Sequence, residues 1–424
     1  MRKIFLIIFL ITLYSFSFSQ DITGNWKGNI EVNGHEVPIL FHFFKDSSGK
    51  MDGKWDSPLQ HAMNLPFSGI STPGDSVQLE IKMISGSYNG KFIRHDSIAG
   101  MWHQNGAELP LNFSRSTDEM PVEQKTLLLK GEKEISITSV VGSNLYGTLL
   151  SKNNQQKVAI IIAGSGPTDR DGNSATGLDS ANSYKLLAEA LDSQNIASFR
   201  YDKRGVAKSI SGNFSENDLT FDDNIKDVEK IYDYLHDTLG FKSIYFIGHS
   251  EGSLVGMIAA EKVPVKGYIS IAGTGRSIDK VIEEQLNANP LPGSANEEIN
   301  HIFDELKKGN EVSNVPSSLN FLVRKSIQPY LISWLKYDPA KEIKNLKSPV
   351  LILQGTCDTQ VKIIDAEKLH EANKKSTLDI IPLMTHALKN ADPGCKDDNN
   401  KTYMDPSLPL NRKLVNDIVV FIKK

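Results

Sequence analysis

The stretch Ile244–Met257, IYFIGHSEGSLVGM, decides the fold. An apolar run, Ile244 to Ile247, leads into Gly248-His249-Ser250-Glu251-Gly252, and small and apolar residues follow. The first part reads as a buried strand and the last as a helix, so Ser250 falls on the turn between them. A serine on such a turn has strained backbone angles. Side chains at Gly248 and Gly252 would collide with the neighbouring strand and helix, and glycine relieves the crowding. The turn lifts the Ser250 hydroxyl above the sheet and sets the Glu251 N–H beside the place where an oxyanion would develop. A G-x-S-x-G pentapeptide alone is a weak signal; the strand before it and the helix after it give it weight.

Outward from this turn, strand-like and helix-like segments alternate from about residue 126. KVAIIIAG (157–164), IASFRYD (196–202), VKGYISIAG (265–273), PVLILQG (349–355) and TLDIIP (377–382) read as strands, after a first pair at 134–139 and 145–150. Helical patterns at 183–193 and 219–237 lie among them, the second with Ile225, Val228, Tyr232 and Leu235 on one face. The alternation predicts a mostly parallel sheet wrapped by helices. The interval from about 277 to 345 shows no strand. It reads as a helical cap, with Ile299, Ile302, Phe303 and Leu306 on one helical face and a second helical stretch over 317–335.

Before residue 126 the pattern is different. Short, roughly alternating runs at 36–44, 76–84, 97–104 and 108–114, punctuated by Gly, Asn, Asp and Ser, predict a small all-β domain over 20–116, a barrel or sandwich. Residues 117–125 read as a linker. Trp26, Trp55 and Trp102 lie in this part; such residues fill a β core or stack on sugars. Residues 1–19, with Arg2 and Lys3 ahead of IFLIIFLITLY, read as a signal peptide rather than a retained anchor. The expectation is export to the periplasm or beyond, without stable membrane insertion. A net charge of −4 over 424 residues gives no reason to expect nucleic acid. No Cys/His cluster suggests a metal, and no cofactor is expected.

A serine hydroxyl needs a base, usually a histidine oriented by a carboxylate, and in folds with this elbow the acid and then the histidine follow the serine. Of His301, His370 and His386, the first lies in the cap and the second in an amphipathic helix. His386 follows the strand TLDIIP on a loop at the carboxyl edge of the sheet. Asp358 emerges at the same edge after PVLILQG, whereas Asp338 precedes that strand and Asp365 lies in the helix after it. The second oxyanion donor belongs after the first central strand, in AGSGPTDRDGN (163–173). Ser165 N–H is the expected donor, with Gly166 as substitute. The charged runs TDRDG and RYDKRG read as loop-bracing ion pairs, with a substrate-carboxylate role for Arg170 or Arg204 second. Cys357 adjoins Asp358 and Cys395 lies shortly past His386, so a disulfide between them would tie the two loops together.

With GHSEG, RYDKRG, LILQGTCDTQV and His386 in place, the chain from about 126 to 424 resembles an α/β-hydrolase. AGSGPTDRDG behind a β domain is similar to secreted bacterial esterases of the dipeptidyl-peptidase-like and serine-aminopeptidase-like branch. The N-terminal part is loosely similar to lipocalin-like modules. The resemblance implies hydrolysis of carboxylic esters, of small-molecule or acylated-carbohydrate type, without metal or organic cofactor. The cap helices would form a lid that shapes the acyl pocket. Two other readings stand beside this one. A peptidase trimming short peptides would draw on Glu283, Glu284, Glu297 and Glu298 to hold a free amino terminus. A glycan-binding protein would carry an inert hydrolase domain.

Overall fold

The structure is a computed structural model. It describes residues 21–424 except 33–34, 47, 59–61, 85, 105–106, 118–127, 129, 140–141, 153–154, 175–179, 211–213, 289–294 and 398–399. The expected signal peptide and all but Thr117 of the expected linker lie outside the described residues.

Ten strands form the first sheet: β1 Gly24–Val32, β2 His35–Lys45, β3 Met51–Ser57, β4 Ala62–Pro66, β5 Gly69–Ser71, β6 Ser76–Ile81, β7 Gly86–Arg94, β8 Ser97–Gln104, β9 Ala107–Pro110 and β10 Phe113–Ser116. All pairings are antiparallel, in the order β4-β3-β2-β1-β10-β8-β7-β6-β5, with β9 on β8. The run expected as one strand at 108–114 is therefore two, parted where Leu111 turns into the core. Trp55 on β3 and Trp102 on β8 have ring centroids 6.3 Å apart, yet three strands separate them in the sheet. In a flat sheet four strand spacings amount to about 19 Å. The sheet must curl, and it does so around Trp26, Phe41, Tyr88 and Phe113. Only Phe67 and Ser68 part β4 from β5; β4 pairs with β3, β5 pairs with β6, and the Ser68 N–H bonds the Glu80 carbonyl, so this run bridges the two ends of the sheet. Trp26, Trp55 and Trp102 are all buried in it, which withdraws their faces from any sugar.

The second sheet holds β11 Glu132–Thr138, β12 Asn144–Leu150, β13 Lys157–Ile162, β14 Ala197–Tyr201, β15 Ser243–His249, β16 Gly267–Ile271, β17 Val350–Gly355 and β18 Thr377–Ile381. Their order is β11-β12-β14-β13-β15-β16-β17-β18. The pairings of β11 with β12 and of β12 with β14 are antiparallel, and the others are parallel. The helices are α1 Ser183–Ser193, α2 Phe221–Asp233, α3 Glu251–Lys262, α4 Ile278–Ala288, α5 Ala295–Lys307, α6 Asn320–Val323, α7 Gln328–Trp334, α8 Pro339–Glu342, α9 Ile363–Ala372, α10 Lys401–Met404 and α11 Arg412–Lys423. The central strands are continuous apolar runs because both faces are covered. One face packs on α2, α3 and the cap, the other on α1 and α11. This eight-stranded order, with the serine turn after β15, is the α/β-hydrolase fold.

The cap lies between β16 and β17, and its elements among the described residues are all helical. The stretch 317–335 is not one helix. Arg324 takes an extended ψ of 151°, and α7 restarts with Pro329 in its first turn. Proline lacks the N–H that an unbroken helix would need there and clashes with the carbonyl four residues back, so it sits in the first turn of α7, after a short 3-10 turn at 325–327. The apolar face of α5 is buried as its spacing predicts. The two sheets meet through the segment after β14: β4 lies against the turn 207–209, and Ile210 and Phe214 pack on the core of the first sheet.

Candidate active site

The serine turn is built by contact. A Cβ on Gly252 would lie 2.3 Å from the Ile162 carbonyl oxygen and 2.4 Å from that of Ala163. A Cβ on Gly248 would lie 2.3 Å from the Gly252 carbonyl oxygen. Only hydrogen fits at either position, so α3 can start directly on the end of β13. Ser250 then takes φ +54°, a strained value for a non-glycine residue, held by its N–H to the Ile271 carbonyl at 2.9 Å. The Glu251 N–H opens α3 and has no acceptor within the helix.

His386 and Asp358 come to the same edge from the loops after β18 and β17. His386 Nδ1 lies 2.8 Å from Asp358 Oδ2, and both residues are buried. Asp358 Oδ1 accepts from the N–H groups of Gln360 at 2.8 Å and Val361 at 2.9 Å, and Gln354 Nε2 stands 3.3 Å from Oδ2. Burial acts to raise the Asp358 carboxyl. The His386 charge, its hydrogen bond and the two backbone N–H groups outweigh that and hold the group below its ordinary value. An ionised Asp358 can only accept, so His386 Nδ1 carries a proton and Nε2 remains for other chemistry. The rivals are engaged elsewhere. Asp338 caps α8, buried Asp365 pairs with Arg276, His370 bonds Ser376, and His301 is exposed on α5.

Ser250 and His386 share the wall of a cavity of about 130 Å³. Gly164, Ser165, Thr168, Tyr184, Gln360 and Tyr403 line it too. Gly166, with φ +73°, is not part of that wall. Among the described residues none of the cap helices contributes to it, against the expectation that they shape this pocket. Helix α4 reaches only an adjoining hollow of about 260 Å³ lined by Glu284, Gln285, Ala288, Thr359, Gln360 and Lys362. Of the acidic residues expected for an amino-terminus subsite, Glu284 already pairs with Arg276 and Glu283 with Lys280. Arg170 is bound by Asp202 and Glu134, and Arg204 by Asp227, all as loop braces. Cys357 and Cys395 form a disulfide with Cα atoms 5.0 Å apart. Among the described residues no cluster of three or more His, Cys, Asp or Glu is placed to hold a metal, and no helix is long and apolar enough to cross a membrane.

Several residues here carry no signal in the sequence beyond their type. Lys203, buried after β14, donates to the Gly164 carbonyl at 2.5 Å and stands 3.6 Å from Glu251 Oε1. Tyr330 of the cap donates to the same carboxylate oxygen at 2.8 Å. His249, inside the quoted pentapeptide, bonds Tyr184 and the backbone of His386.

A family model described as serine aminopeptidase, S33 (Hydrolase_4), matches residues 177–328. Esterase EstD of Thermotoga maritima is 25% identical over 277 residues, which are 65% of this chain and 61% of that protein. The chain thus spans about three fifths of the length of that curated relative. Among solved structures, Est1E from Butyrivibrio proteoclasticus is 19% identical, with a TM-score of 0.43, over 68% of this chain and 97% of that one. The α/β hydrolase GrgF from Penicillium sp. sh18 is 16% identical, with a TM-score of 0.47, over 69% and 98%.

Proposed function

We propose that the protein is a serine hydrolase that cleaves carboxylic esters with small acyl groups through an acyl-enzyme. The observation that carries this reading is the pairing of His386 with buried, ionised Asp358, in one cavity with Ser250 on its strained turn. The likeness to an esterase from Thermotoga maritima supports it. His386 Nε2 takes the proton of Ser250 as Oγ attacks the ester carbon. The N–H groups of Glu251 and Ser165 receive the oxyanion. Collapse expels the alkoxide, which leaves as alcohol with the proton from His386. Water, deprotonated by His386, then releases the acid and restores Ser250. A cavity of about 130 Å³ is close to the roughly 150 Å³ that accommodates a benzene-sized group, which favours short acyl chains. A disulfide in the site suits an oxidising compartment and supports the reading of residues 1–19 as an export signal.

The test is turnover of p-nitrophenyl esters of increasing chain length beside aminoacyl-anilides, with fluorophosphonate labelling. Acetate to butyrate should be preferred, and Ser250→Ala should lose both turnover and label. Preference for the anilides would transfer the chemistry to the peptidase reading. In Asp358→Asn the amide NH₂ would face His386 Nδ1, forcing the imidazole into the tautomer with its proton on Nε2. A drop in kcat of about 10³–10⁴-fold is expected.

A further inference from the structure

We infer that Tyr184 and His249 are positioning residues. They form a one-directional hydrogen-bond chain that ties the oxyanion loop to the backbone of His386 and so sets the two loops in register. The inference rests on Ser250 and His386 being the reacting groups. The chain runs from the Gly164 N–H to Tyr184 Oη at 3.0 Å, from Oη to His249 Nδ1 at 2.8 Å, and from His249 Nε2 to the His386 carbonyl at 3.0 Å. Its ends dictate its direction. A backbone N–H can only donate, so Tyr184 Oη accepts from Gly164 and has its own proton left for Nδ1. A backbone carbonyl can only accept, so His249 Nε2 carries the imidazole proton. A neutral imidazole has one donor and one acceptor, and both are used.

The surroundings keep the chain in that state. Burial raises the Tyr184 hydroxyl above its ordinary value, so it stays a donor. Burial first, and then the neighbouring His386, push His249 down to about 3, so it stays neutral. Protonated His249 would turn Nδ1 into a second donor aimed at Tyr184. It would also set a cation beside His386, whose ring centroid lies 4.6 Å away, against the imidazolium that forms there when Nε2 takes the Ser250 proton. The chain links four segments: the loop after β13, the start of α1, the strand end before Ser250 and the loop after β18. It also occupies the Gly164 N–H, which leaves the following N–H groups of that loop to face the ester.

The expected consequence is a loss in kcat rather than in binding, because misplacement by about 1 Å of reacting groups costs up to about 10²-fold. Tyr184→Phe and His249→Phe should each lower kcat for p-nitrophenyl acetate about 10- to 100-fold with KM within about threefold. The double variant should be no slower than the worse single one, because either change breaks the same chain. His249→Gln, whose amide offers a donor and an acceptor, should recover most of the loss. Folded variants with wild-type kcat, or losses that multiply in the double variant, would overturn the inference. ¹⁵N NMR of the wild type reads the chain without turnover. His249 should show the Nε2–H tautomer and no titration between pH 8 and 5, and titration near its ordinary value would also overturn it. If Ser250 fails to label while that NMR signal is as expected, the reaction assignment and the chain's catalytic role fail, and the chain itself stands.

Discussion

At the scale of the residue, the protonation state of His249 is a stability statement. Its folded value of about 3 lies below the ordinary 6.5, first because of burial. Between those values the unfolded chain binds a proton that the folded chain refuses. The contribution is therefore complete above about pH 6.5 and is lost as pH falls toward 3, by up to about 1.4 kcal/mol per pH unit. Urea denaturation at pH 7, 5.5 and 4.5 should show the wild type losing stability faster than His249→Phe, and parallel slopes would refute the neutral imidazole. Ser250, Asp358 and His386 were legible in the sequence because each follows a recognisable strand, and strand ends in a parallel sheet share an edge. The partners of His249 were not legible. Its hydrogen bonds reach 65 residues back to Tyr184 and 137 forward to His386, and no local pattern encodes a contact of that span.

At the scale of the element, the serine turn depends on a buried charge. Glu251, whose N–H is proposed to receive the oxyanion, is buried with its carboxylate between Lys203 and Tyr330. Lys203 also grips the Gly164 carbonyl, so one ammonium braces both the start of α3 and the loop after β13. Burial lowers the Lys203 ammonium, and the Glu251 charge opposes that. Lys203→Met should cost about 3–5 kcal/mol at neutral pH, because it leaves the carboxylate buried without its cation. Adding Glu251→Gln should return part of that stability. If denaturant melts show the single variant as stable as the wild type, the brace has no energetic role. The cap teaches a related lesson about elements. Spacing predicts the buried face of α5 correctly, whereas the interval 317–335 is interrupted at Arg324 and restarts as α7 around Pro329. Its Arg324, at the break, is held by Glu216 from a segment about a hundred residues earlier.

At the scale of the whole molecule, long-range ties hold the site and join the two sheets. The Cys357–Cys395 bond closes a loop of 38 residues around the acid and histidine segments. In the chain-entropy model such a closure stabilises the fold by about 4 kcal/mol. Dithiothreitol should lower both Tm and the rate of esterase turnover, and a reduced protein with an unchanged Tm would remove the bond from this account. Ile210 and Phe214, close in sequence to Lys203, pack against the core of the curled sheet. The first sheet is thereby packed against the segment that carries Lys203, the partner of Gly164 and Glu251.

The sequence by itself determined the order of strands and helices, the serine turn with its two glycines, and the chain positions of the acid and the histidine. Periodicity and turn chemistry are local, so each of these is written within a dozen residues. Only the tertiary structure decided that the tryptophans are core, that Tyr184 and His249 line the serine cavity, and that Lys203 and the cap's Tyr330 meet on Glu251. Those outcomes depend on how sheets curl and loops meet after collapse, where a hydrogen bond forms between whichever donor and acceptor the packing leaves dry and close.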